Sequence, residues 1–239
     1  MQGEEASFFV VSDGKDFVTL STAQDHKRLL DGDNGPNTGG MGSYAPAPIV
    51  SPDVRAKVLS RVVRPTLAGM ASEGRPYAGF LYVGLMIDAA GEPRVVEFNA
   101  RMGDPETQVI MLRLKSDLLP LLQHAAKGAL GPDVELEWDR RAALTVILAS
   151  QGYPDSPRKG DVVHGLPVAP QDDVVVFHAG TTLKDGQLLT SGGRVLCVTA
   201  LGESIKQAQH RAYEAASTIG FDGMQFRRDI GWRAIKPHH

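Results

Sequence analysis

Residues 95–106, VVEFNARMGDPE, carry the side chains of this chain most able to do chemistry. Glu97 and Asn99 stand two apart, Arg101 follows, and Asp104 and Glu106 come just after. Strand side chains alternate between faces, so Glu97, Asn99 and Arg101 point one way if the strand runs that far, and apolar Val96 and Phe98 point the other. A carboxylate and a carboxamide are hard oxygen donors suited to Mg²⁺, which keeps the rest of its shell for phosphate oxygens and water. A guanidinium beyond them can hold a phosphoryl group in transfer. The same pattern also fits an edge strand with a solvated polar face ending in a turn, and the segment alone leaves both readings open.

A second segment, NGPNTGGMG at 34–42, holds four glycines and a proline. Glycine lets backbone N–H groups come close to an anion, so Asn37, Thr38, Gly39, Gly40, Met41 and Gly42 are candidates to close over phosphates or a carboxylate. No Gly-Lys-Ser/Thr follows, so it is not a P-loop. The other reading is a plain connector. Upstream, His26, Lys27 and Arg28 form a basic cluster able to meet phosphate, or simply a solvated surface.

The positioning elements read as follows. Apolar stretches at 6–12 and 17–22 flank Asp13-Gly14, a hairpin signal. Residues 24–48 lack apolar periodicity and read as a long loop. Ser51-Pro52 caps a helix running to about 72 on Val54, Val58, Val62, Leu67 and Met70, bent at Pro65. Strands are expected at 77–88 and 92–98, and helices at 106–114 and 116–127, the second capped by Ser116. The punctuation at 128–133, GALGPD, suggests a domain boundary. Beyond it, strands are expected at 142–150, 174–178, 182–189 and 194–201. A helix at 203–219 carries a stripe from Ile205 to Ile219, and a last strand lies near 224–228. LKDGQLL is a second Asp-Gly hairpin, and GGRV at 192–195 is a turn into a strand.

Composition excludes several classes. A net charge of -3 over 239 residues argues against nucleic acid or a membrane surface as partner. No apolar run reaches the ~20 residues of a membrane span. MQGEEASFFV has no basic lead of a signal peptide, and the one cysteine, Cys197, rules out an internal disulfide, so a cytoplasmic setting is expected. Cys197 lies in an apolar run and is expected to be buried. His164 and His178 lack metal-ligand spacing and read as structural. No HExxH, CxxC or GxSxG occurs.

Taken in order, QDHKRLLDGDNGPNTGGMGSYAPAP, GFLYVGLMID, VVEFNARMGDPETQ, GDVVHGLP, SGGRVLCVTALG and RRDIGWRAI resemble the phosphoribosylamine–glycine ligases of the ATP-grasp superfamily, from about residue 3 to residue 235. The resemblance implies an α+β fold: part of an ATP-grasp domain, an antiparallel sheet with helices, over 1–130, then a small α+β domain over 131–239. It implies ATP, glycine and 5-phosphoribosylamine as substrates, glycyl phosphate as intermediate, and a role in purine biosynthesis. Glu97 and Asn99 match the family's ligands for Mg²⁺ (or Mn²⁺). Arg101 would steady the γ-phosphate or acyl phosphate, Asp104 the glycine ammonium or a ribose hydroxyl, and the 37–42 loop would shield the intermediate from water.

The pattern departs from the superfamily in two places. Many ATP-grasp enzymes carry another acid about twelve residues before the strand acid, where this chain has Leu85. The family's N-terminal substrate domain and small ATP-clamping subdomain would both precede Gly3, so the resemblance covers the C-terminal half. The N-terminal half, in cis or as a separate chain, is the expected partner. A non-catalytic interaction module and a different ATP-grasp carboxylate–amine ligase are the alternatives.

Overall fold

The computed structural model describes residues 2–167 and 173–235. Along the chain run β1 (Glu4–Asp13), β2 (Phe17–Thr19), β3 (Gln24–Asp25), β4 (Arg28–Leu30), β5 (Asn34–Asn37) and β6 (Gly42–Ala45). Helices α1 (Pro52–Val58) and α2 (Arg64–Ser72) precede β7 (Ala78–Ile87) and β8 (Pro93–Asn99), followed by α3 (Glu106–Arg113) and α4 (Leu118–Ala126). Then come β9 (Ala142–Ala149), β10 (Val174–His178), β11 (Thr181–Lys184), β12 (Gln187–Thr190) and β13 (Arg194–Gly202), with α5 (Ile205–Ala216) and α6 (Trp232–Ile235). The chain forms two compact units, one of Met1–Gln24, Pro46–Gly103 and Leu114–Asp139, the other of Asp25–Ala45, Asp104–Arg113 and Arg140–His239. Residues 128–133 lie inside the first unit. Among the described residues no helix is long and apolar enough to cross a membrane.

The first unit is an antiparallel sheet in the order β2-β1-β7-β8. The Asp13-Gly14 hairpin forms as expected: Asp13 Oδ1 accepts the N–H groups of Lys15 and Asp16, and Gly14 takes φ 96°. Burial raises the Asp13 proton affinity, but N–H bonds from Lys15, Asp16 and Leu130 outweigh it, leaving the carboxyl below its ordinary pKa. One sheet face packs Ala6, Phe8, Val10, Leu81, Val83, Leu85 and Ile87 against the α1–α2 helical stretch. Each of these side chains larger than alanine, fully buried, contributes about 1.5–3 kcal/mol. The Ser51 cap forms, its Oγ accepting from Val54 N at 3.2 Å. The helix does not simply bend at Pro65: Leu59–Val63 winds as a π-helix just before it. The extra residue shifts the buried stripe to Val54, Val58, Val63 and Leu67, so Val63 rather than Val62 is buried. Helix α4 packs on β1 and β7. Its cap is Asp117, which accepts from Leu119 N, whereas the expected Ser116 accepts from Glu137 N instead.

The second unit holds a sheet in the order β10-β13-β9-β6-β3. Alternation divides β9 and β13 between two layers. Leu144, Val146 and Leu148 with Leu196, Val198 and Ala200 pack with Ala208, Ala212 and Ala216 of α5. The intervening residues meet α3, where Gln108 donates to Cys197 Sγ at 3.4 Å. Cys197 is buried, which pushes its thiol up to about 12. The expected loop at 24–48 is instead built of short strands, and Gly42–Ala45 is buried within the sheet. Pairing to a distant strand supplies the order that local periodicity does not show. The strand expected near 224–228 is absent; only Gln225 bridges, to Ala149.

Candidate functional site

Glu97 and Asn99 sit on β8, an edge of the first unit's sheet. The antiparallel register sets Glu97 opposite Gly84 and Asn99 opposite Tyr82. These pairs share the face opposite Val83 and Leu85, so both oxygen-bearing side chains leave the sheet away from the α1–α2 core. Gly84 is needed here: a Cβ would come 3.0 Å from the Glu97 Cγ. The ladder slips by one residue between the Gly84–Glu97 and Leu85–Val95 pairs, leaving Val96 as a bulge. The expected apolar face of Val96 and Phe98 is therefore not a packed one. Val95 joins the core beside Leu85, while Val96 and Phe98 are 46% and 45% exposed. Leu85, which stands twelve residues before Glu97, faces that core and is 1% exposed. Arg101 is exposed at the strand's exit, donating to Met102 O at 3.0 Å and to Asn99 Oδ1 at 3.4 Å.

Two hard oxygens on one face of a strand fit a magnesium or manganese ion that takes its other ligands from phosphate and water. Among the described residues no group of three or more His, Cys, Asp or Glu could hold a metal.

The remaining candidates belong to the second unit. His26 does not join a phosphate site. It is 1% exposed, its Nδ1 lies 3.0 Å from Gly42 O, and its Nε2 accepts from Gly231 N at 3.1 Å. Burial, with Arg227 and Arg233 nearby, lowers its pKa to about 4, so the ring carries no charge to offer an anion. Lys27 is half-buried and Arg28 exposed, its Nη1 donating to Gly35 O.

The glycine loop does not present free amides either. Thr38 N donates to Lys27 O, Gly39 N to the Tyr153 hydroxyl, Gly40 N to Thr38 Oγ1 and Met41 N to His26 O. The Met41 side chain is buried in the core. Gly40 takes φ 118°, and a Cβ there would sit 2.7 Å from Asp25 Oδ1 and collide with Pro105. That glycine answers close packing rather than approach to an anion.

Asp104 and Arg194 come together. Arg194 Nη2 meets Asp104 Oδ2 at 2.9 Å, and its Nη1 donates to Asp104 O and Gly39 O, each at 2.8 Å. Gln108 Nε2 donates to Asp104 Oδ1 at 2.9 Å, while its own buried Oε1 has no hydrogen-bond partner. The sequence marks GGRV only as a turn, so Arg194 is a residue that sequence reasoning misses; an arginine directly after two glycines at a strand start is the signal available. Asp25, which neighbours Glu106, is a further residue that sequence reasoning misses. Burial of the Asp25 carboxyl and the neighbouring Glu106 charge hold its pKa well above the carboxylate range, despite an N–H bond from His26.

Residues 1–107 match the family model for the phosphoribosylglycinamide synthetase ATP-grasp (A) domain, and residues 143–233 the model for its C domain. A phosphoribosylamine–glycine ligase of Ralstonia nicotianae is 61% identical over 236 residues, covering 99% of this chain and 56% of that protein. One from Escherichia coli O157:H7 is 56% identical over 99% of the chain and 55% of its own length. The crystal structure of phosphoribosylamine–glycine ligase from Thermotoga maritima superposes with a TM-score of 0.85 at 41% identity, over 96% of this chain and 56% of that one. The chain thus spans about half the length of the curated relatives it matches. By both of its matched domains, the chain belongs to the phosphoribosylglycinamide synthetase family.

Proposed function

We propose that the chain is the C-terminal part of an ATP-dependent ligase that joins glycine to 5-phosphoribosylamine through glycyl phosphate, in the cytoplasm, with the N-terminal half of the same enzyme as partner. The observation that carries this reading is the Glu97–Asn99 pair on one face of β8 with Arg101 at its exit, in a chain that matches this family's domains. Residues 1–130 would complete the ATP-grasp domain and 131–239 form the small C-terminal domain. Glu97 and Asn99 would hold Mg²⁺ (or Mn²⁺). That ion, when bound, offsets negative charge on the ATP phosphates. Arg101 would steady the phosphoryl group, with Lys27 and Arg28 as further phosphate contacts. Asp104 would hold the glycine ammonium or a ribose hydroxyl. A non-catalytic module would have no physical need for this set, and that alternative is not favoured.

The test combines this chain with the N-terminal half of a relative and measures phosphate released from ATP. Release should need both glycine and 5-phosphoribosylamine. Glu97→Ala should lower it by about 100-fold or more, the equivalent of several kcal/mol of charge stabilisation. Turnover that ignores glycine, or survives Glu97→Ala, sinks the reading.

A further inference from the structure

We infer that Arg194 receives the carboxylate of the amino-acid substrate, beside Asp104, which faces its ammonium; the inference rests on the ligase reading and names the site for its smallest substrate. A guanidinium has five N–H groups. Those of Arg194 that are used go to the Asp104 and Gly39 carbonyls, to the Asp104 carboxylate and, at 3.5 Å, to Gly40 O. All of these are made by Nη1 and Nη2. Among the described residues nothing accepts from the Nε–H, and only one Nη2 hydrogen is spent. The Nε–Nη2 edge of a guanidinium is a fork that can bind a carboxylate with two parallel bonds, and here that edge keeps its Nε–H and one Nη2 hydrogen unspent. The side chain keeps 20% of its surface exposed, and that of Asp104 keeps 55%, so small solutes reach the pair.

A purely structural clamp would need only the contacts already made. Anchoring on carbonyls from two segments holds the fork still before a ligand arrives, which lowers the ordering cost of binding. Opposite charges 2.9 Å apart also suit a molecule whose ammonium and carboxylate are carried by the same carbon. A lysine here would keep the charge and lose the fork.

The experiment is an NMR titration of the isotope-labelled chain with glycine, acetate and methylamine. Glycine and acetate should shift the Gly39 and Gly40 amides saturably and compete with each other, and methylamine should not compete with acetate. Arg194→Lys should weaken glycine and acetate alike by about tenfold or more. Asp104→Asn should weaken glycine and spare acetate. A wild-type chain unmoved by glycine and acetate up to roughly 100 mM, beyond the millimolar range of weak single-site binding, overturns the inference. So does Arg194→Lys binding both as wild type. If Arg194→Lys loses its folded spectrum, wild-type competition decides: glycine and acetate failing to compete overturns the site. A chain that passes these tests yet gives no ATP-dependent ligation with an N-terminal half sinks the ligase reading and leaves the carboxylate site standing.

Discussion

Gly84 stands directly across the antiparallel ladder from Glu97, and the stem of that glutamate runs over the space where a Gly84 side chain would be. A backbone hydrogen in place of a methyl thus sets where the carboxylate lies.

Gly84→Ala should therefore disturb the proposed metal site without unfolding the sheet. The added Cβ would meet Glu97 Cγ at 3.0 Å and Tyr82 Cε1 at 3.2 Å. Gly84 lies in a strand without a positive φ, where alanine is conformationally acceptable, so the unfolding free energy read from urea should change by no more than about 1 kcal/mol. Misplacing a charge-bearing group by a fraction of an ångström should cost about tenfold in turnover of the reconstituted enzyme, relieved by raised Mg²⁺. Unchanged magnesium dependence would refute the link.

The π-turn makes a prediction against simple helical periodicity. Val63 is 0% exposed and Val62 is only half-buried. Val63→Ala should lose about 2 kcal/mol through lost transfer and a cavity. Val62→Ala should lose less than about 1 kcal/mol. Equal losses in urea unfolding would contradict the shifted stripe.

His26 and Asp25, neighbours in sequence, work against each other as pH changes. The folded pKa of His26 is about 4 against an ordinary 6.5, so its stability contribution is complete above 6.5 and is lost as pH falls towards 4. Over that range the loss reaches about 3 kcal/mol. NMR of the imidazole protons should show a ring neutral at pH 5, and a midpoint near 6.5 would refute its burial. The Asp25 carboxyl is shifted up from 3.8, so its contribution is complete below 3.8 and is lost as pH rises through the raised value. Asp25→Asn keeps an oxygen for the His26 N–H and should gain stability over wild type as pH rises from 4 to 7. A variant whose advantage does not grow with pH would show that Asp25 ionises normally.

Gly40→Ala should destabilise the second unit. The new methyl would press on Asp25 and Pro105 at a backbone φ of 118°. Strain and overpacking together should cost about 3 kcal/mol, read from thermal or urea unfolding. A neutral Gly40→Ala would mean that this loop adapts freely.

Local devices were legible because neighbouring residues build them. The Asp13-Gly14 hairpin, the Ser51-Pro52 cap, the β7–β8 pair and the α5 stripe each depend on residues a few positions apart. The features misread depend on distant partners. His26 looked like part of a basic patch, yet Gly231, from the far end of the chain, donates its N–H to the ring Nε2. The loop glycines looked like an anion cradle, yet Tyr153, Lys27 and His26 take the amides. The slip at Val96 and the π-turn at 59–63 are insertions into otherwise regular patterns, which periodicity alone does not register.

By itself the sequence determined the family, the two oxygen-bearing side chains spaced for one strand face, and the arginine beyond them, because strand alternation and motif order are local properties of the chain. Only the tertiary structure decided that Glu97 has room over Gly84, that His26 is neutral and enclosed, and that Arg194 meets Asp104 and Gly39. Those outcomes depend on which segments the folded backbone brings within hydrogen-bonding distance. Arg194 is separated from Asp104 by 90 residues and from Gly39 by 155, and no pattern along the chain encodes such a contact.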